Sequence, residues 1–344
     1  MSTSRRPPVH ESRNRLSKVR VLVADRDART ASLVHSVLFS FGFQTIQLLT
    51  RGDEALAVLH KTPFDLIITE WNLSVGGGIE LVKTIRQAKE AQLLRRDIPI
   101  IMLTAKADKD AVSHARDAGI TEFLVKPFTA ATLSHRLVQV IDNPRAFIDA
   151  PGYAGPDRRR REGLPEEGER RGVRPTAPMM DAQRDLGNYN TLPPNRDLQK
   201  KIGEDLKADD LFSDQLIANA QKDLQKQEGA FLDWAKEDVA QLEKAFTELR
   251  RHVNSPEALA NVMQLAYGIK SQAGIFGYHL GTQVAGNLVD FLEKNKKLDA
   301  DGLVVLRKHI DTIAVIFHQK IKEPTAGLGH DLLSSLQKLV AKFG

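Results

Sequence analysis

The run Phe64-Asp65-Leu66-Ile67-Ile68-Thr69-Glu70-Trp71-Asn72 decides the fold. Its apolar centre is continuous rather than alternating, which is the pattern of a strand covered on both faces, as in a parallel sheet. The apolar stretch closes on Glu70, so the acidic side chain falls at the carboxyl end of a buried strand.

The same pattern recurs on either side. Val19–Ala24, Thr45–Leu49, Ile98–Thr104 and Glu122–Val125 are β-branched-rich apolar runs that predict strands. Between them Ala28–Ser40, Gly52–His60, Ile79–Ala88, Lys109–Ala118 and Thr132–Ile141 predict helices. Gly42 and Gly119 stand where helices stop, and Pro99 stands at a strand entrance. Repeated βα units over residues 18–142 predict a doubly wound five-stranded α/β domain. In such sheets the working crevice lies at the carboxyl ends of the strands. Asp25, Arg26, Asp27, Glu70, Thr104 and Lys126 all fall there.

The pattern then dissolves. Residues 143–204 carry recurrent proline among Gly, Arg and Glu without periodicity, the composition of a linker. Residues 205–344 read as helical throughout. Val239, Leu242, Phe246 and Leu249 share one face, as do Leu306, Ile310, Ile313 and Phe317. Ser255-Pro256 is a helix start, with a capping hydroxyl before a proline at the first helical position. An all-α four-helix bundle is the expected packing. Residues 1–17 are polar and Arg-rich, and read as a disordered arm without the apolar core of a secretory signal.

Bulk properties narrow the classes. The 344 residues contain no cysteine, which excludes disulfides and thiolate metal sites. No apolar run reaches the roughly 20 residues that span a bilayer, so a cytoplasmic location is expected. The net charge of +5 is modest for the length and argues weakly for nucleic acid. With no basic recognition helix in the bundle, DNA is not an expected partner.

Val21-Leu22-Val23-Ala24-Asp25, Ile68-Thr69-Glu70-Trp71-Asn72, Met102-Leu103-Thr104-Ala105 and Val125-Lys126-Pro127-Phe128 together resemble the receiver domain of response regulators in two-component signalling. The resemblance implies a flavodoxin-like sheet and a phosphorylated aspartate on the third strand, served by magnesium. By position Asp25 is the metal ligand, Thr104 the switch hydroxyl, Lys126 the charge partner and Phe123 the switch aromatic. Glu70 stands at the aspartate position, one methylene too long, and an ångström-scale misplacement can cost about 10²-fold in rate. Arg26 stands at a second acidic ligand position and brings a permanent cation where magnesium would sit, so no metal cofactor is expected. One reading is that Glu70 pairs with Arg26 and Lys126 and imitates a phosphorylated aspartate. The other is a slow but working acceptor.

Ala266-Tyr267-Gly268-Ile269-Lys270-Ser271-Gln272-Ala273-Gly274 resembles the histidine phosphotransfer signature, with Tyr267 at the histidine position. A phenol, with an ordinary pKa near 10, is no nucleophile at neutral pH without a base. Lys270, Ser271 and Gly274 match the lysine and small residues of the docking face. His252 and His279 are the alternative histidines. The resemblance implies histidine kinases, phosphotransfer proteins or receivers as partners, and a non-enzymatic adaptor whose two modules are both degenerate. A functional phosphorelay carrier is the alternative.

Arg158-Arg159-Arg160-Arg161 follows Tyr153-Ala154-Gly155-Pro156-Asp157. Arginine forks suit phosphates and guanine edges, and the stretch resembles arginine-rich tails of single-domain receivers that bind cyclic di-guanylate. The competing readings are a solvated linker whose arginines neutralise Glu162, Glu166, Glu167 and Glu169, and a membrane-surface contact.

Overall fold

A computed structural model describes residues 14–88, 94–105, 108–158, 190–253, 255–325 and 327–343. The chain divides into two compact units, Met1–Leu124 with Leu133–Ile217, and Val125–Thr132 with Ala218–Gly344.

In the first unit β1 (Arg20–Ala24), β2 (Thr45–Leu49), β3 (Leu66–Glu70), β4 (Ile100–Thr104) and β5 (Glu122–Val125) form one sheet in the order β2-β1-β3-β4-β5. The pairs β1–β2, β1–β3 and β3–β4 are parallel. Helices α1 (Ala28–Phe41), α2 (Gly52–Leu59), α3 (Gly78–Gln87), α4 (Lys109–Ala118) and α5 (Ala130–Asp142) alternate with the strands. This is the doubly wound fold expected from the sequence. β3 and β4 are buried almost end to end, which is why their sequences are continuous in apolar residues. Leu22, Ile67, Ile79, Val82, Ile85, Ile100 and Met102 pack into one core between the sheet and its helices. Asp27 and Asp108 cap α1 and α4 through their side chains, and Gly42 and Gly119 end those helices in the left-handed conformation.

The stretch read as linker departs from that expectation on both sides of residues 159–189, which lie outside the described residues. β6 (Phe147–Ala150) and β7 (Tyr153–Pro156) make an antiparallel hairpin, and β8 (Asn190–Leu192) adds to its other edge. Helices α6 (Asp197–Ile202) and α7 (Ala208–Leu211) follow. The physical reason is anchoring rather than periodicity. Phe147 and Ile148 are buried, Lys201 pairs with Asp65 at 2.7 Å, and Asp142 accepts from the Ala208 N–H at 2.8 Å. The arm shows the same effect at its end. Leu16 is fully buried and Arg15 pairs with Asp205 at 3.0 Å, while residues 1–13 are outside the described residues.

Helix α8 (Asp214–Gln225) carries the boundary between the units. In the second unit α9 (Glu228–Arg251), α10 (Pro256–Ile275), α11 (His279–Lys294) and α12 (Ala300–His318) pack α9 on α10, α10 on α11, α11 on α12 and α12 back on α9. That closed circuit is a four-helix bundle. α13 (Gly327–Phe343) lies against α12. Ser255 caps α10 by accepting from the Ala258 N–H at 3.2 Å, as its sequence signature predicts. Phe231, Phe276, Tyr278 and Phe317 interlock in the core, with ring centroids 4.5–5.8 Å apart.

Candidate functional site: a strand-end pocket and a tyrosine on the bundle

Sheet register assembles the first site. Ala24 pairs with Thr69 and Glu70 pairs with Leu103. The next residues along β1 and β4, Asp25 and Thr104, therefore reach the carboxyl edge beside Glu70, where the strand order reverses between β1 and β3. Asp25 is 1% exposed and Thr104 2%. Lys126, 4% exposed, follows β5 and precedes a cis peptide bond to Pro127. Phe123 is half-buried against the core that also receives Trp71.

Glu70 is only half-buried, and its Oε2 accepts from the backbone N–H of Arg26 at 3.3 Å. The Arg26 residue itself is exposed. Asp25 Oδ1 accepts from the Asp27 N–H at 3.0 Å. Asp27, which the sequence reading groups with the pocket, caps α1. Its carboxylate is turned to the start of α1, accepting from Arg29 N at 3.1 Å, Thr30 N at 3.3 Å and Thr30 Oγ1 at 2.6 Å. A carboxylate satisfied by a helix N-terminus gains from the dipole there.

The loop after β3 is tightly folded. The Gly78 N–H donates to the Trp71 carbonyl at 2.8 Å, and a Cβ on Gly78 would collide with the Glu70 carbonyl. Glycine is thus required where α3 begins against the end of the acidic strand. Trp71 also meets His114 of α4 edge-on, with ring centroids 5.6 Å apart. Among the described residues, no group of three His, Asp or Glu side chains could hold a metal ion.

On the bundle, Tyr267 and Lys270 lie one turn apart on α10, with Lys270 Nζ 6.0 Å from the phenol ring centroid. The Tyr267 hydroxyl donates to Glu293 of α11 at 2.7 Å. Ser271, which the sequence reading groups with the docking face, lies on the inward side of α10. It is 4% exposed, with its Oγ unpartnered among the described residues, because its helical phase turns it inward. Gly274 faces Pro127 of the same compact unit, which fills the space a side chain would need. His252 and His279 are exposed and lie beside Glu248 at 3.2 Å and Glu323 at 3.8 Å.

Of the arginine run only Arg158 is described. It pairs with Asp117 at 3.0 Å and stacks over Tyr153 at 3.9 Å from the ring centroid. Arg159, Arg160 and Arg161 lie outside the described residues. Sequence reasoning missed the hairpin that holds Tyr153, although Pro151-Gly152 between Phe147-Ile148 and Tyr153 is a turn signal.

A family model described as the response regulator receiver domain matches residues 21–138. Chemotaxis protein CheY-3 of Vibrio cholerae is 34% identical over 124 residues, covering 36% of this chain and 92% of that protein. Chemotaxis protein CheY of Pseudomonas aeruginosa is 28% identical over 124 residues, covering 36% of this chain and 97% of its own length. Among solved structures, chemotaxis protein CheY4 of Vibrio cholerae is 33% identical with a TM-score of 0.33, over 36% of this chain and 98% of that one.

Proposed function

The chain belongs to the response regulator receiver domain family through residues 21–138, and from that premise we propose that it is a phosphorylation-independent adaptor of two-component signalling. The observation that carries this reading is the state of the third-strand acid. Glu70 is one methylene longer than the family's acceptor, and its Oε2 is drawn onto the Arg26 N–H at 3.3 Å. A carboxylate held as an acceptor for a backbone donor is poorly placed for in-line attack on a phosphoryl donor.

In this reading magnesium has no place. Asp25 spends one oxygen on the Asp27 N–H, Asp27 is committed to α1, and Arg26 adds positive charge between them. The bundle acts as a pseudo-phosphotransfer surface in which Tyr267, hydrogen-bonded to Glu293, replaces a transferable histidine. Its partners are histidine kinases, phosphotransfer proteins or receivers, met in the cytoplasm. The chain binds them without catalysing a reaction.

Incubating the full chain with acetyl phosphate and magnesium, followed by intact mass, tests the reading. The expected spectrum contains no phosphoryl adduct. A stoichiometric adduct on Glu70 would overturn it.

A further inference from the structure

A cleft of about 250 Å³ lies between α3, the end of α4 and the β6–β7 hairpin, lined in part by Lys83, Arg86, Arg96, Asp117, Asp149 and Tyr153. Most of its cations have a carboxylate. Lys83 Nζ is 2.9 Å from Glu80, Arg96 Nη2 is 2.5 Å from Asp149, and Arg158 at the rim is 3.0 Å from Asp117. Arg86 is different. It is 1% exposed, and its hydrogen bonds run to the carbonyls of Gly119 at 2.7 Å and of Arg96 and Ile98 at 2.6 Å each. Its Nη2 has only a 3.5 Å contact with Thr121 Oγ1.

Among the described residues no carboxylate pairs with the Arg86 guanidinium. A buried charge without a directly paired counter-charge is costly, and burial pulls the Arg86 pKa down to about 10 although Asp97 lies near enough to oppose the shift. Tyr153 offers no negative charge at neutral pH. Its hydroxyl donates to the Pro156 carbonyl at 2.7 Å, and burial pushes its pKa up. Arg86 is thus a cation of the cleft wall held by carbonyls and by no directly paired carboxylate among the described residues.

We propose that this cleft binds a compact phosphate-bearing anion, with pyrophosphate as its simplest representative, through Lys83, Arg86, Arg96 and Arg158. The carboxylates now on Arg96 and Arg158 mark where anionic oxygens sit. Asp149 and Asp117 have 39% and 52% of their side chains exposed, so either can return to water with little desolvation change when a more highly charged ligand arrives. Arginine forks donate to two phosphate oxygens at once, and a diphosphate brings more negative charge to the cleft than the single carboxylate that Arg96 and Arg158 each now hold. Size narrows the class. The cleft is below the roughly 300–1,000 Å³ of sites that enclose drug-sized ligands, so a diphosphate group fits where a whole dinucleotide does not. This site is independent of how Glu70 behaves.

Calorimetry on the full chain at fixed ionic strength is the test, with pyrophosphate and sulfate as titrants. Saturable one-to-one binding of pyrophosphate is expected, weakened about tenfold or more by Lys83→Gln and by Arg158→Gln. Both substitutions lie at the rim, and circular dichroism of each variant checks that the fold is kept. Absence of saturable binding to the unaltered chain would overturn the proposal. So would unchanged affinity in both variants, or sulfate binding as tight as pyrophosphate.

Discussion

The hydroxyl of Tyr267 donates to Glu293 Oε1 at 2.7 Å and ties the middle of α10 to the end of α11. Tyr267 is thus part of the bundle's own bonding. Tyr267→Phe keeps the ring and removes the bond to Glu293. The expected loss is about 0.5–1.5 kcal/mol, at the low end because Glu293 is exposed. Urea unfolding of the variant against the unaltered chain measures it.

Restoring the family's side chains tests whether the strand-end pocket lost only its acids. The double variant Arg26→Asp with Glu70→Asp shortens the acceptor and replaces a cation by a second carboxylate. Labelling by acetyl phosphate with magnesium is expected in this variant and not in either single one, read by intact mass.

Gly78 lies so close to the Glu70 carbonyl that Gly78→Ala must push the start of α3 away from β3. Destabilisation of about 1–3 kcal/mol is expected, as for other overpacked sites. Hydrogen exchange should report it as lost protection in the loop between β3 and α3.

His309 is fully buried in α12. Its Nδ1 lies 2.9 Å from the Val305 carbonyl, and its Nε2 has no partner among the described residues. Burial lowers its pKa below the ordinary 6.5, so the folded bundle binds this proton less readily than the unfolded chain. The stability this neutral ring supplies is present above about pH 6.5 and declines as pH falls toward the lowered folded value, by at most about 1.4 kcal/mol per pH unit. His309→Leu should flatten that part of the stability–pH curve, measured by urea unfolding at pH 5–8.

Arg86 holds three carbonyls, two in the turn before β4 and one at the end of α4. Arg86→Met leaves them without donors and is expected to cost roughly 3 kcal/mol or more in thermal or urea unfolding. Arg86→Lys should recover little, because an ammonium cannot reproduce the planar fork.

The sheet was legible because its central strands are nearly unbroken apolar runs, and α1 and α4 each have a capping aspartate and a terminal glycine. The strand-end pocket followed from that, since Asp25, Glu70 and Thr104 are placed by strand ends alone. Side-chain allegiance was not legible. Nothing in Asp25-Arg26-Asp27 says which carboxylate turns to the helix, and Ser271 reads as a surface residue until the phase of α10 is known. The hairpin hid for a different reason. Four-residue strands give too few alternations to register, and their stability comes from distant partners such as Arg86, Arg96 and Asp117 that sequence spacing does not reveal.

The hairpin also decides where this protein can be cut. Its Phe147 lies 5.9 Å from the Arg86 guanidinium carbon, and Gly155 lies so close to Gly119 that neither tolerates a larger side chain there. A fragment trimmed at Asp142, where the last sheet-flanking helix stops, would open this cation to bulk solvent. Measurements on such a fragment would describe a protein with a different underside.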